Sequence, residues 1–208
     1  MASDTKEAIL NAAEDLFAAQ GIETTSLRAI TGEAKVNLAA VSYHFGSKQA
    51  LVAAVFERRL LPMNRERLRC LDELERSGME IPLEALVRAY ISPALAMSRD
   101  PGGERFVRLL GRSYSEPSHE VHGWMRAAYT EVIARFKPAF ARALPDLPAQ
   151  ELHWRLHFML GTLAYCMAGT DVMRLIASSG LEPNADPGAL ERHLVNYVSA
   201  GLAAPPSD

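Results

Sequence analysis

Apolar residues recur at helical spacing from the first turns of the chain: Ile9, Ala12, Ala13, Leu16 and Phe17 form one stripe, and no segment alternates with the two-residue period of a strand. Asp4, followed three residues on by Glu7, has the form of a capping box for this first helix, and Gln20-Gly21 ends it. Ser26 is placed to cap a short helix, roughly 27–34, and Asn37 to cap a second, roughly 38–44. Gly46-Ser47 then opens a long helix carrying Leu51, Val52, Val55, Phe56 and Leu60 towards Arg76, with Pro62 as a candidate kink and Ser77-Gly78 as its end. Beyond it the pattern predicts helices at about 82–99, 103–114, 118–143, 148–179 and 187–203, separated by Pro- and Gly-containing breaks. The expected fold class is all-α. A three-helix N-terminal bundle (domain 1–50) precedes a larger helical domain (51–208), and the helix over 47–76 connects them.

Composition narrows the classes. With 208 residues, 49% hydrophobic and 23% charged, the chain can bury a sizeable core and is not of the disordered type. The longest apolar run, Phe158 to Met167, is about half of what a bilayer span needs, so no membrane partner is expected. The polar, acidic start does not read as a secretory signal, and Cys70 and Cys166 match no disulfide or zinc spacing. A cytoplasmic location without cofactor is the expectation. The net charge of −3 first argues against nucleic acid, and residues 1–60 hold six basic against seven acidic side chains. Bulk charge therefore decides nothing; what matters is whether positive groups gather on one face.

Two short helices joined by a tight turn have the form of a helix-turn-helix, whose second helix must be slim enough to enter the major groove. Leu38-Ala39-Ala40-Val41-Ser42 meets that demand: Ala39, Ala40 and Ser42 can approach base edges or a thymine methyl, while Val36, Val41 and Phe45 face inward. Thr25, Ser26, Tyr43, His44 and Lys48 are suited to phosphates, and helix N-termini add partial positive charge. Arg28, Lys35, Asn37 and Leu38 complete the candidate DNA-facing set. The acidic Glu7, Glu14 and Asp15 of the first helix can face away. Singly, each residue is better explained by packing; together, with caps at the right distances, they point to DNA.

The stretch from Ser26 to Ile30, with Val41-Ser42-Tyr43-His44-Phe45-Gly46-Ser47-Lys48-Gln49-Ala50-Leu51, resembles the TetR family of bacterial regulators. The resemblance covers about residues 5–58. It implies that Tyr43, His44 and Lys48 hold phosphates and that Asn37, Ala39, Ala40 and Ser42 face bases. It also implies that the C-terminal helices dimerise and bind a small effector that releases the protein from a double-stranded operator. Two positions depart from the family pattern: Lys35 stands where the turn usually has Gly, and Thr31-Gly32 follows Ile30. If the turn needs a positive φ at Lys35, the cost is on the order of 1 kcal/mol.

The C-terminal half agrees with that picture. The helix from Leu152 becomes apolar almost all round, so some of its faces must meet a partner or its own core; Leu163 and Leu194 are the positions expected at the homodimer interface. Phe106, Leu110, Tyr114, Trp124, Tyr129 and Phe158 are candidates to line an apolar effector cavity, with Arg112 and His157 (and Arg108) for a polar end. Arg108-Leu109-Leu110-Gly111 and Trp154-Arg155-x-His157-Phe158-Met159-Leu160-Gly161 are similar to the PsrA-type branch, which implies a fatty acid or acyl-CoA effector. Two rivals stay open. His119-Glu120-Val121-His122 and His153…His157 have metal-ligand spacing without a completing set, which would suit a metal-responsive repressor. A helical enzyme acting on lipids finds no nucleophile elbow, phosphate loop or HExxH motif to support it.

Overall fold

The structure is a computed structural model that describes residues 2–100, 102–114, 119–168 and 188–206, with the side chains of residues 2, 3 and 119–122 left aside. Its described residues form helices α1 (Ala2–Gln20), α2 (Leu27–Glu33), α3 (Leu38–Phe45), α4 (Lys48–Arg76), α5 (Leu83–Ala96), α6 (Gly103–Ser113), α7 (His119–Ala143), α8 (Ala149–Met167) and α9 (Ala189–Ala203). A single 3-10 turn, Met97–Arg99, closes α5.

Local chemistry sets most of these boundaries. Ser26 Oγ accepts from Ala29 N (3.1 Å), Asn37 Oδ1 from Ala40 N (2.9 Å) and Ser47 Oγ from Ala50 N (3.1 Å), so three successive helices start at side-chain caps. The Asp4 capping box is corrected: α1 begins at Ala2, and Asp4 lies inside its first turn, where an acid complements the helix dipole. Between α2 and α3, Val36 N donates to Thr31 O (3.0 Å) and Lys35 N to Gly32 O (3.3 Å), the paired bonds of a Schellman turn. That motif places Lys35 at φ 54, the described non-glycine residue with positive φ. Pro62 does not end α4, which runs as one helix from Lys48 to Arg76 with Pro62 on its exposed side. The expected helix over 148–179 ends at Met167 with Ala168 as its cap, and residues 169–179 lie outside the described residues.

Ile9, Phe17, Ile30, Val41, Leu51 and Val55 close the N-terminal bundle. Two elements join it to the rest. One is α4, whose later turns pack against α5 and α7. The other is α6, which packs on α1: Arg105 Nε pairs with Asp15 (2.6 Å), and Arg112 donates to Ala18 O (3.3 Å). Glu14 does not face away as the sequence suggested. It is buried between α1 and α4, paired with Arg58 (2.5 Å) and Arg59 (3.0 Å), because these two cations need a partner where α4 leaves the bundle. At the opposite side, α6 meets α8 at Gly111, where an added Cβ would stand 2.5 Å from Ala168 N.

Candidate nucleic-acid interface and ligand cavity

Helix α3 is held by one apolar side: Val41 is buried, and Val36, Ala40 and Phe45 are half-buried against the core. The opposite side projects Leu38, Ala39, Ser42 and Tyr43, with Tyr43 83% exposed. An aromatic hydroxyl standing free on a slim helix has no folding role to explain it. His44 is half-buried and edge-on to Tyr43, with ring centroids 5.0 Å apart. Arg28 of α2 and Lys35 of the turn before α3 are exposed, and the half-buried Lys48 donates to Glu23 O (3.2 Å), which anchors α4's first turn next to the loop before α2. Ser26 and Asn37 are exposed, but their side-chain oxygens are already used as caps. Thr25 departs from the expectation. It is buried, and its hydroxyl donates inward to Gly21 O (2.7 Å), so it braces the loop rather than presenting an oxygen outward. Of the six basic residues before position 60, Arg58 and Arg59 are turned to Glu14, and Lys6 lies over the Phe45 ring. The positive charge available to a duplex is therefore concentrated on Arg28, Lys35 and Lys48.

The eight residues expected at an effector site are not brought together. Phe106 and Leu110 are wholly buried core, with Phe106 edge-on to Phe56 at 5.6 Å. Trp124 leans on Phe56 and donates its indole N–H to Glu57 (3.1 Å). Arg112 is committed to the end of α1, and Arg108 pairs with Glu104 on its own helix. His157 and Phe158 lie on the outer face of α8, where Trp154, Phe158 and Tyr165 are exposed beside Tyr197 of α9; this face includes a groove of about 210 Å³. Tyr114 and Tyr129 remain. They flank an open cavity of about 230 Å³ together with Tyr90, Met125, Ile133 and Leu160, and their hydroxyls meet at 2.6 Å. Burial pushes the Tyr90 phenol up to about 12 and raises Tyr114 well above its ordinary value, so both stay neutral donors in any physiological setting. A larger cleft of about 480 Å³ at the far end of α4 is walled by the Glu75–Arg142 ion pair and touches none of the expected residues.

Sequence reading missed two residues behind the cavity of Tyr90, Tyr114 and Tyr129, namely Asn64 and Arg67 of α4. Both are buried, and Arg67 is only 1% exposed. The signal was present: Leu60, Met63, Asn64, Arg67 and Leu71 share the i, i+3, i+4 spacing of an inward stripe. Leu163 and Leu194, expected at a dimer interface, are instead core of the single chain, because α6 and α5 cover them. No group of three His, Cys, Asp or Glu side chains converges among the described residues; His153 and His157 are exposed, and the side chains of His119, Glu120 and His122 lie outside the described set. No helix among the described residues is long and apolar enough to cross a membrane.

Comparison with known proteins covers both halves of the chain. Residues 9–55 match the family model described as bacterial regulatory proteins, tetR family, and residues 88–201 match the tetracyclin repressor-like C-terminal domain. An HTH-type transcriptional repressor of Mycobacterium tuberculosis is 52% identical over 50 residues, 24% of this chain and 27% of that protein. The HTH-type transcriptional regulator SrpR of Pseudomonas putida is 29% identical over 124 residues, 60% of this chain and 54% of that one. The chain thus spans from about a quarter to about half the length of these curated relatives. Among solved structures, NalD, the secondary repressor of the MexAB-OprM multidrug efflux pump in Pseudomonas aeruginosa, superposes with a TM-score of 0.68 at 23% identity, covering 97% of this chain and 98% of that one. A SmeT–triclosan complex superposes with a TM-score of 0.65 at 22% identity, covering 98% and 96%. At such identities the likeness establishes the fold.

Proposed function

The chain belongs to the TetR family of bacterial regulatory proteins, and on that premise we propose that it is a homodimeric transcriptional repressor whose α3 reads a pseudo-palindromic operator and which lets go when a small hydrophobic molecule enters the C-terminal domain. The observation that carries the reading is the bare α3 face, Leu38-Ala39-Ser42-Tyr43, accompanied by Arg28 exposed on α2, Lys35 exposed in the turn before α3 and Lys48 opening α4 after it. Small side chains there leave room for base edges, and the cations and Tyr43 suit phosphates on either side.

Dimerisation is supported by the exposed aromatic face of α8 and α9. Trp154, Phe158, Tyr165 and Tyr197 form a patch that a monomer would leave in water. A second copy related by a two-fold axis places two recognition helices about 34–36 Å apart, one turn of duplex. The effector cavity is the one beside Tyr114 and Tyr129. A long-chain fatty acid or its coenzyme A thioester is the finer candidate; Met125, Ile133 and Leu160 suit an acyl chain. The volume of about 230 Å³ sets a limit, since a cavity of about 150 Å³ is enough for benzene, and the head and first carbons of a long chain would fill it. A hundredfold loss of operator affinity requires the ligand to favour the released state by about 2.7 kcal/mol. NalD and SmeT share the fold, and by their descriptions NalD is the secondary repressor of a multidrug efflux pump and SmeT forms a complex with triclosan.

Selection of genomic DNA fragments by the purified protein tests the reading. Recovery of a shared two-fold-symmetric sequence, protected over two successive major grooves, is expected. Binding that shows no sequence preference across salt concentrations would overturn it.

A further inference from the structure

Among the described residues, Arg67 is a charge without a carboxylate partner. Its guanidinium cannot give up its proton, and it is buried in the middle of α4, yet among the described residues no carboxylate reaches it. What surrounds it is neutral. Nε donates to Tyr90 O (2.8 Å), one terminal nitrogen to Asn64 Oδ1 (3.2 Å), and the plane lies over the rings of Tyr90 (4.1 Å) and Tyr129 (5.6 Å). Hydrogen bonds and ring faces soften the burial of a cation but leave its field uncancelled, and a buried charge without a counter-ion disfavours the folded state. That field emerges where Tyr129 and Tyr114 border the cavity. Arg126, the charged residue of the described lining, adds a second positive group at the rim.

The hydroxyl pair carries the field outward. One bond between two hydroxyls uses one proton, so the Tyr114–Tyr129 contact leaves a second proton to donate. Arg67 lies over the Tyr129 ring, and its field favours the arrangement in which the Tyr129 proton points away from it, towards Tyr114. The Tyr114 proton is then directed to the cavity, polarised by the row behind it.

We propose that this cavity is an anion-selective site: it takes a small organic acid whose carboxylate accepts from the Tyr114–Tyr129 pair with Arg67 as buried counter-charge, while its apolar body lies on Met125, Ile133 and Leu160. The inference rests on the reading of this cavity as the effector site, and narrows the effector to acids rather than neutral or cationic drugs. It also explains how occupancy reaches the DNA-binding domain. Arg67 belongs to α4 and Tyr114 caps α6, the two elements that bear on α1 through Glu14–Arg58–Arg59 and through Asp15–Arg105. A carboxylate drawing Tyr114 towards Arg67 changes the spacing of both at once.

The test is calorimetric titration of the full-length protein at neutral pH with octanoate and 4-ethylbenzoate, beside octanamide, octylamine and 4-ethylbenzamide. At least one of the two acids should bind about tenfold or more tightly than its amide, the amine should bind weakest, and Arg67→Met, Tyr114→Phe or Tyr129→Phe should abolish the preference by weakening the acid far more than the amide. If Arg67→Met fails to fold, the two tyrosine variants, each missing a single hydroxyl, decide the matter. Amides or amine binding as tightly as the acids, or neither acid binding at millimolar concentration, would overturn the inference. Operator binding without any acid is measured separately, so a protein that discriminates acids but selects no DNA sequence would sink the repressor reading and leave the site standing.

Discussion

Lys35 shows how far one residue's backbone can be separated from its side chain's task. Its φ of 54 completes the Schellman turn, a conformation that costs a side-chain-bearing residue about 1 kcal/mol. Lys35→Gly is expected to raise stability by up to about 1 kcal/mol, less the entropy a glycine loses on folding, as read from urea unfolding. The same variant should weaken operator binding and reduce its salt slope by about one unit, if the ammonium meets a phosphate. A variant more stable and unchanged on DNA would show that Lys35 serves nothing in recognition. Tyr43→Phe and Lys48→Ala should weaken binding to every sequence alike, whereas Ala39→Leu should change which sequence is chosen. Ala39 is the cleaner probe than Ala40, whose half-buried side chain also presses on the core.

At the scale of elements, the crossing of α6 and α8 is a close joint. Gly111 is needed for packing, since a Cβ there would meet Ala168 N at 2.5 Å and Ala164 O at 2.8 Å, both backbone. Gly111→Ala should cost about 1–3 kcal/mol of stability, measured by thermal or urea unfolding. A neutral result would show that α6 can shift freely, contrary to its place between α1 and α8. A second joint is Arg155 of α8, which donates to Leu202 O (2.7 Å), Ala204 O (2.5 Å) and Pro205 O (2.8 Å) and so caps the open end of α9. The tyrosines of the cavity add a pH signature. Tyr90 and Tyr114 have folded pKa values above the unfolded value, so the unfolded chain loses their protons first. Their contribution is complete below about pH 10 and falls as pH rises beyond it, for Tyr90 until about pH 12, at up to about 1.4 kcal/mol per pH unit for each group. The urea midpoint should fall over that window, and Tyr90→Phe should flatten the fall.

For the whole molecule, the exposed aromatic patch on α8 and α9 predicts a dimer at micromolar concentration in sedimentation equilibrium without DNA. A stable interface of standard size covers about 800 Å² on each partner, which a patch spanning two helices can supply. Phe158 and Tyr197 are 60% and 69% exposed in the single chain, so Phe158→Glu with Tyr197→Glu should produce a folded monomer with greatly weakened operator affinity. A charge at Leu163 or Leu194 should instead lower stability by several kcal/mol, since each is buried inside one protomer. Should the double glutamate variant remain a dimer, the interface lies elsewhere.

Much of this was determined by residues near one another in the chain. Ser26, Asn37 and Ser47 cap the helices they precede, the Ile9-to-Phe17 stripe faces the core, and the slim face of α3 follows from a few side chains whose positions a helix sets by itself. Local hydrogen bonds and helical period act over three or four residues, and those spacings are visible in the sequence. Tertiary structure decided the rest. Whether Leu163 or Phe158 meets the protomer's own core depends on where α6 lies, some fifty residues away, because a helix apolar on all sides carries no local mark of its partner. Glu14 joins Arg58 and Arg59, and Arg67 sits behind two tyrosines, for the same reason: a polar side chain's meaning is set by the groups that surround it, and those arrive from other helices.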